Sequence, residues 1–481
     1  MSRGVSVQGR VQPFILNGWT VLSRPSKWKI PRVPFGECGV KGGVVDFAAK
    51  TAARSPGVAA EQRRTTPVRS GGAMAPTGIA VPNLADPATY AEHDMTAVWR
   101  RLRADDPVHR HPATAAGPGF WVLTRHEDVA AVLKDDERFT SEQGNVLATM
   151  LAGGDTGAGR MLAVSDGDFH TGLRRLLLQA FAPRALTGVV ERVRRTTRRL
   201  LLEAVERGEC DFARDVASVI PLETICDLLA VPPADRPAVL RLTKSALASD
   251  YADPEAGEDW AARNEIMVYF SDLVEERRRA PGDDPISLMA AGEVNGRRLD
   301  DVDIVLNCYS LIMGGDETGR LAMTGAAREL ARRPDQWAAL SGGAVTAQTA
   351  AEEVLRWTTP TMHFGRTALT DVELRGRTIN AGDLVTLWLV SADQDESVFP
   401  GADRFDLART PNRHLALGYG RHFCLGAHLG RVEIIAMLEG LRECVGSLRQ
   451  TGPEQYIHSN FLTGMHSLPL ALSPHPSGVR K

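Results

Sequence analysis

The stretch Leu417-Gly-Tyr-Gly-Arg-His-Phe-Cys-Leu-Gly426 constrains this chain more than any other. A lone cysteine is usually a buried small hydrophobe. Here the surroundings argue otherwise. Gly418 and Gly420 let the backbone turn tightly around one point, and Gly426 permits close approach just behind the sulfur. Cys424 stands where a helix begins, so free backbone N–H groups can face a thiolate. That setting favours an anionic sulfur bound to a metal. Whatever fold the chain adopts has to bring a glycine-rich turn and a helix start to one internal ion.

The scaffold around that point reads as helical from Asp94 onward. Apolar spacing predicts helices over Met95–Ala104, His126–Leu133, His170–Phe181, Val189–Arg207, Phe212–Leu229, Ala234–Ala248, Gly257–Arg279, Thr346–Trp357 and Gly426–Cys444. Asp300 and Asp301 are good caps for a long helix that ends before Pro334. Strand-like alternation is short: Gly119–Thr124, Val372–Leu374, Thr378–Ile379 and Leu384–Leu389, with a turn at Asn380–Asp383 and a closing hairpin from Phe461 to Leu472. Phe139–Asp166 is Gly-rich and almost without period, and loops of that length are usually functional or mobile. The expectation is one large domain, mainly α with small β-sheets.

Composition excludes several classes. No apolar run reaches the roughly 18 residues of a membrane span, and a net charge of −3 gives no global reason to expect nucleic acid. The six cysteines are scattered and form no CxxC pair, which argues against zinc ribbons, dithiol redox motifs and a disulfide framework. The cytoplasm is the expected compartment. The charge is uneven, however. Residues 1–73 carry 12 Lys/Arg and 3 Asp/Glu, net +9, so the remaining 408 residues are net −12. This basic leader is expected to lie outside the fold, as a disordered extension or because Met74 is the true start. A targeting segment is the second reading, although no clear amphipathic helix or cleavage pattern supports it.

The cysteine stretch resembles the heme-binding loop of the cytochrome P-450 family, FGxGxHxCxG, with Leu417 where Phe is usual. The resemblance implies the family's single-domain fold, a triangular prism with heme b between a long distal helix and the proximal Cys-loop helix. It implies Cys424 as the thiolate ligand of the iron, a ligation that favours O–O cleavage, and His422 as a heme-propionate partner. Other segments resemble the family too. Glu353-Val-Leu-Arg356 is an ExxR whose members share a helical face; the family uses it with a third arginine as a buried structural lock, and Arg404 fits that place. His170 and Arg174, at i and i+4, resemble the propionate-binding helix, and Arg366 the propionate contact from the strand side. By themselves such pairs more often make an exposed polar face.

Gly314-Gly-Asp-Glu-Thr-Gly-Arg320 interrupts an apolar helical run with glycines and acids that are costly by propensity and burial. It resembles the oxygen-activation motif (A/G)Gx(D/E)T. Gly314 and Gly315 then make room over the heme, and Glu317 and Thr318 are the acid–alcohol pair. Gly319 and Arg320 depart from the family's usual residues. The resemblance further implies substrate contacts from Phe139–Asp166, from Asn307, Ser310, Leu311 and Gly314, from Thr359–Phe364 (with Met362 and His363) and from Asn460–Leu462. His363 is by itself more often a packing residue.

The implied activity is a heme-thiolate monooxygenase that hydroxylates or epoxidises a small organic substrate with dioxygen, in the tailoring of a secondary metabolite. No flavin, nicotinamide or iron–sulfur motif is evident in the chain. Electrons are therefore expected from NAD(P)H through a ferredoxin reductase and an acidic ferredoxin docking near Arg421 and Arg431, with no nucleic acid or membrane as partner. The alternatives are oxidative coupling or peroxide-driven oxidation on the same heme, and, from a different class, a non-catalytic heme sensor or electron carrier. The Glu317–Thr318 pair argues against the last, because a carrier needs no proton relay.

Overall fold

The computed structural model describes residues 81–247 and 258–475, together with the backbone of two short paired strands, Phe14–Leu16 and Trp19–Val21. Met1–Thr77 and Gly78–Lys481 are separate compact units, and the expectation that residues 1–73 are extraneous lies outside the described residues. Within the larger unit helices dominate and the sheets are small, as the periodicity implied.

The long helix is Asp301–Arg332. Asp300 caps it: its side chain accepts from the Asp303 N–H, and the Asp303 side chain accepts from the Asp300 N–H, a reciprocal capping box. Arg333 ends it one residue before Pro334, which opens the next helix, Pro334–Ser341. The long helix packs against Val219–Leu228, Glu258–Arg279, Ala347–Thr358 and Ala427–Cys444, so it runs through the main core. Its middle residues Ile304, Leu306, Cys308 and Ile312 and its C-terminal half from Leu321 to Ala327 are buried.

The five-stranded sheet has the order Val108–His111, Phe120–Leu123, Leu384–Trp388, His363–Ala368, Phe139–Thr140. His363–Ala368 and Leu384–Trp388 pair antiparallel, His363 opposite Trp388 and Arg366 opposite Val385. Thr361 bridges Leu462, and the Met362 N–H donates to Phe461 O at 2.8 Å. Two segments almost a hundred residues apart in sequence, Thr359–Phe364 and Asn460–Leu462, thereby become neighbours.

Three local expectations are corrected. The helix read as Val189–Arg207 begins at Pro183; the proline sits at the first turn, where its missing N–H has no partner to lose, and is a start signal. Phe212–Leu229 is two elements, a π-helical turn Ala213–Ala217 followed by Val219–Leu228. The closing hairpin is not a single unit. Gln455–Tyr456 pairs with Met465–Ser467, and Pro469–Pro474 pairs with Val445–Gln450 and Glu209–Asp211.

Candidate functional site

The cysteine loop is built by its own backbone. The Cys424 N–H donates to Leu417 O at 2.9 Å, Gly418 N–H to Leu415 O at 2.7 Å and Phe423 N–H to Gly420 O at 3.1 Å. Gly418 and Gly420 have φ of +72° and +73°, which side-chain-bearing residues rarely adopt. A Cβ on Gly420 would also come within 2.7 Å of Leu133 O, so the loop presses on the end of helix His126–Lys134. Gly426 is under no such constraint: a Cβ there would make an ordinary contact with Phe181. The helix that follows is Ala427–Cys444. Cys424 has exposed surface, yet protein surrounds it closely enough that burial raises its thiol pKa. The space it opens onto is therefore internal. The Gly426 N–H and the charges of Arg174 and Arg431 act the other way and favour the thiolate.

Basic groups gather beside this sulfur. His170 and Arg174 lie on helix Gly167–Leu177, and Arg174 Nη2 donates to Phe423 O at 2.7 Å, tying that helix to the loop one residue before the cysteine. The rings of His170 and His422 lie 4.3 Å apart. Arg366 is buried on its strand, and its one hydrogen bond runs to the adjacent Gly365 carbonyl. Burial lowers its pKa to about 10, with Asp166 acting against that. Among the described residues Arg366 forms no ion pair, and the buried Nε2 of His170 has no hydrogen-bond partner. Burial first, then the charges of His422 and Arg174, lower the His170 pKa to about 4. A buried guanidinium and an orphaned buried imidazole nitrogen beside a cysteine on an internal space fit a group that brings its own carboxylates and a metal. Heme is such a group, and His170, Arg174, Arg366 and Cys424 are the residues that could hold it.

His422 has a partner that sequence reading missed. Its Nε2 lies 2.9 Å from Asp166 Oδ1. Asp166 also accepts from Thr140 Oγ1 and the Ser141 N–H, both at 2.7 Å. Burial pushes the Asp166 carboxyl up, but these bonds outweigh it and hold it well below the usual range. The contact joins residues 256 apart, and only the placement of Asp166 just ahead of the His170 helix hinted at it.

On the long helix, Gly314 is exposed between buried Ile312 and buried Asp316, and a Cβ added there would meet nothing. Gly315 serves a different purpose: its absent Cβ makes room for Ile225 of the neighbouring helix, 3.1 Å away. Thr318 Oγ1 donates to Gly314 O at 3.1 Å. Glu317 is buried and paired with Arg320, whose Nε donates to Oε2 at 3.0 Å and whose Nη2 meets Oε1.

The ExxR pair is confirmed and its third member corrected. Arg356 donates to both Glu353 oxygens at 2.8 Å, and to the carbonyls of Asp393, Ala402 and Arg404. Arg409, not Arg404, completes the cluster, through Nε to Glu353 Oε2 at 3.0 Å, and Asn412 Nδ2 joins it. Arg404 contributes only its backbone carbonyl, because its guanidinium lies along Gly401. Two arginines five residues apart on an irregular segment cannot be told apart by spacing.

The long loop is clamped at both ends. Asn307 accepts from the Leu162 N–H at 2.9 Å and donates to Arg160 O and Asp303 O. Arg160 pairs with Asp300 and Asp303. At the other end the Leu147 N–H donates to His363 Nε2 at 3.2 Å and the Gly365 N–H to Asn145 O. Asn307 and His363, expected to face substrate, spend these polar atoms on holding the loop. Ser310 and Leu311 stay half-buried. Arg421 pairs with Asp136, and Arg431 with Glu352.

Comparison with known proteins places the chain. The family model Cytochrome P-450 matches residues 347–462. Over 400 residues the chain is 48% identical to cytochrome P-450 NovI of Streptomyces niveus, covering 83% of this chain and 98% of that one. It is 31% identical to linalool 8-monooxygenase of Pseudomonas putida, covering 82% and 99%. The crystal structure of P-450 OxyD, a protein involved in the biosynthesis of vancomycin-type antibiotics, superposes with a TM-score of 0.75 at 33% identity, covering 82% of this chain and 99% of that one. The chain belongs to the cytochrome P-450 family. It has the family's mainly helical fold and is a cytochrome P-450 monooxygenase, acting on dioxygen and an organic substrate. Among the described residues no helix is long and apolar enough to cross a membrane.

Proposed function

We propose that the chain binds heme b through Cys424, with His170, Arg174, Arg366 and His422 around the two propionates and Gly426 beside the ring, and that it tailors a secondary metabolite by hydroxylation or epoxidation. The observation that carries the heme reading is the pairing of an unpartnered buried His170 Nε2 with an uncompensated buried Arg366 next to the cysteine loop. Charge-assisted bonds to carboxylates are strong and orienting, and among the described residues neither His170 Nε2 nor the Arg366 guanidinium has a carboxylate partner. Heme, when bound, supplies dioxygen activation and oxygen insertion.

The chain's residues do the rest. Thr318 offers a hydroxyl whose proton already has an acceptor in Gly314 O, so its oxygen is free to accept a second bond. Glu317 is the acid of the pair. To move a proton toward Thr318 it has to turn from Arg320, and a general acid of this kind acts through water. The clamped loop excludes bulk water from the space above. Tailoring is favoured by the likeness to OxyD of vancomycin-type antibiotic biosynthesis and to PksS of the Bacillus subtilis bacillaene polyketide synthase, a structure at TM-score 0.71 and 28% identity. Electrons come from NAD(P)H through a ferredoxin reductase and ferredoxin in the cytoplasm.

The test is turnover of the heme-loaded enzyme with ferredoxin, reductase and NADPH on a panel of polyketide, peptide and terpenoid compounds under isotopically labelled dioxygen. A product carrying one labelled atom is expected. An unlabelled dehydrogenated or coupled product, or turnover that needs only peroxide, would overturn the monooxygenation reading. Thr318→Ala should raise the electrons consumed per product, and a variant as tightly coupled as the parent would remove Thr318 from its role.

A further inference from the structure

Asp166 stands immediately before helix Gly167–Leu177, where an aspartate ordinarily caps the free N–H groups of the first turn. Its side chain does not cap that helix. Both carboxylate oxygens are turned elsewhere. Oδ2 accepts from Thr140 Oγ1 and from the Ser141 N–H, each at 2.7 Å, and Oδ1 faces His422 Nε2 at 2.9 Å. Three donors on one ionised carboxylate fix its orientation, because bonds to a charged acceptor are short and strong.

These contacts come from two different segments. Thr140 and Ser141 begin the long loop 139–166 and Asp166 ends it, so Oδ2 fastens the neck of that loop. The Asp166 N–H adds a bond to Glu142 Oε1 at 3.2 Å, and further in Asn145 Nδ2 donates to Ala163 O at 3.0 Å. Thr140 and Ser141 are buried, and Thr140 pairs with Thr367, the residue after Arg366. His422 belongs to the cysteine loop, two residues before Cys424. One carboxylate therefore closes the neck of the long loop and holds the His422 ring. Its charge reaches further: burial lowers the pKa of His170 and of Arg366, and Asp166 opposes that at both.

We propose that Asp166 is a positioning residue that couples the long loop to the heme: closure of the neck at Thr140 and Ser141 fixes the carboxylate, the carboxylate fixes the His422 ring, and the ring is thereby presented to a propionate. Coupling of this kind is reciprocal. Opening the neck frees Asp166 and loosens His422, and a His422 engaged by heme keeps the neck closed. Only hydrogen bonds change in the process. The proposal rests on the heme reading above and not on the identity of the substrate.

The test uses the heme-loaded enzyme and reads heme transfer to an acceptor protein, amide hydrogen exchange and the midpoint potential. Thr140→Val removes a donor on the loop side and leaves Asp166, His422 and the basic groups in place. It should speed heme transfer about ten-fold or more, the loss of one bond to a charged group, and should speed exchange at Ser141. Thr140→Ser keeps the hydroxyl and should restore both. Asp166→Asn should speed transfer further and, by removing a negative charge beside the basic groups, raise the potential. The double variant Thr140→Val/Asp166→Asn should transfer heme no faster than Asp166→Asn alone, because both changes act through one carboxylate. Effects that multiply in the double variant, an unmoved potential in Asp166→Asn, or a Thr140→Val enzyme that matches the wild type would each overturn the proposal. So would exchange raised throughout the chain instead of at the neck, which marks a purely structural role. If Asp166→Asn does not fold, the two Thr140 variants carry the test. The reduced carbonyl spectrum separates the failures: the band of sulfur ligation in every variant with unaltered transfer defeats this proposal alone, and its absence from the wild type defeats the heme reading.

Discussion

Arg366 carries a positive charge to a buried place where Asp166 is the carboxylate that acts on it, without forming an ion pair with it. An uncompensated buried ion costs several kcal/mol, so the residue opposes folding until a ligand supplies the counter-charge. Replacing it should therefore act with opposite signs on the two forms. Arg366→Met is expected to raise the melting temperature of the heme-free protein and to weaken heme retention by about ten-fold or more, the loss of one charge-assisted bond. Calorimetry of the apoprotein and heme transfer to an acceptor protein measure the two effects; a fall in both would mean that Arg366 is structural. Glu433, buried on helix Ala427–Cys444, gives a second test. Its folded pKa, about 8, lies above the ordinary 4.5, so the folded state keeps a proton that the unfolded chain releases in that window. Stability from this group is therefore undiminished below about 4.5 and lost as pH rises through about 8. Glu433→Gln should remove that part of the pH dependence, and parallel melting curves against pH for the two proteins would contradict it.

At the scale of elements, the loop 139–166 and the Glu353 cluster show how far local pattern reaches. The loop is legible in the sequence as long and almost without period, but its two fastenings depend on tertiary contacts. Asn307 bonds backbone 145 and 147 residues away, and nothing in an apolar helical run marks an asparagine as a clamp. Asn307→Leu leaves the Leu162 N–H and Arg160 carbonyl without their partner, at about 1–3 kcal/mol per group. Faster proteolytic nicking and hydrogen exchange within residues 151–160 are expected, and unchanged protection would rule out the clamp. Glu353 and Arg356 were legible because an i, i+3 pair shares a face; Arg409 was not, because the segment that delivers it has no period. Breaking a fully buried pair costs about 3–5 kcal/mol. Glu353→Ala should therefore leave little folded protein, and Arg409→Ala should be milder because its guanidinium is less central. Equal damage from Arg404→Ala would restore the earlier assignment. Glu433 could have been found: Leu429, Glu433, Ala436, Met437 and Gly440 form one buried helical stripe, and a carboxylate in such a stripe announces a buried acid.

Across the whole molecule, the sequence signals that the structure bears out are those in which chemistry and backbone geometry coincide within about ten residues: the tight glycine turns before Cys424, the Asp300 cap of the long helix and the Glu353–Arg356 pair. What escaped reading is convergence, as with Asp166 on His422 and Arg409 on Glu353, because it requires elements far apart in sequence to meet. The account as a whole depends on Cys424 ligating heme iron as a thiolate. The most direct measurement is the absorption spectrum of the reduced, heme-loaded protein under carbon monoxide, beside Cys424→His. The wild type should give the red-shifted band of sulfur ligation and the His variant should lose it. A wild-type spectrum without that band, or one that Cys424→His leaves unchanged, would contradict the account.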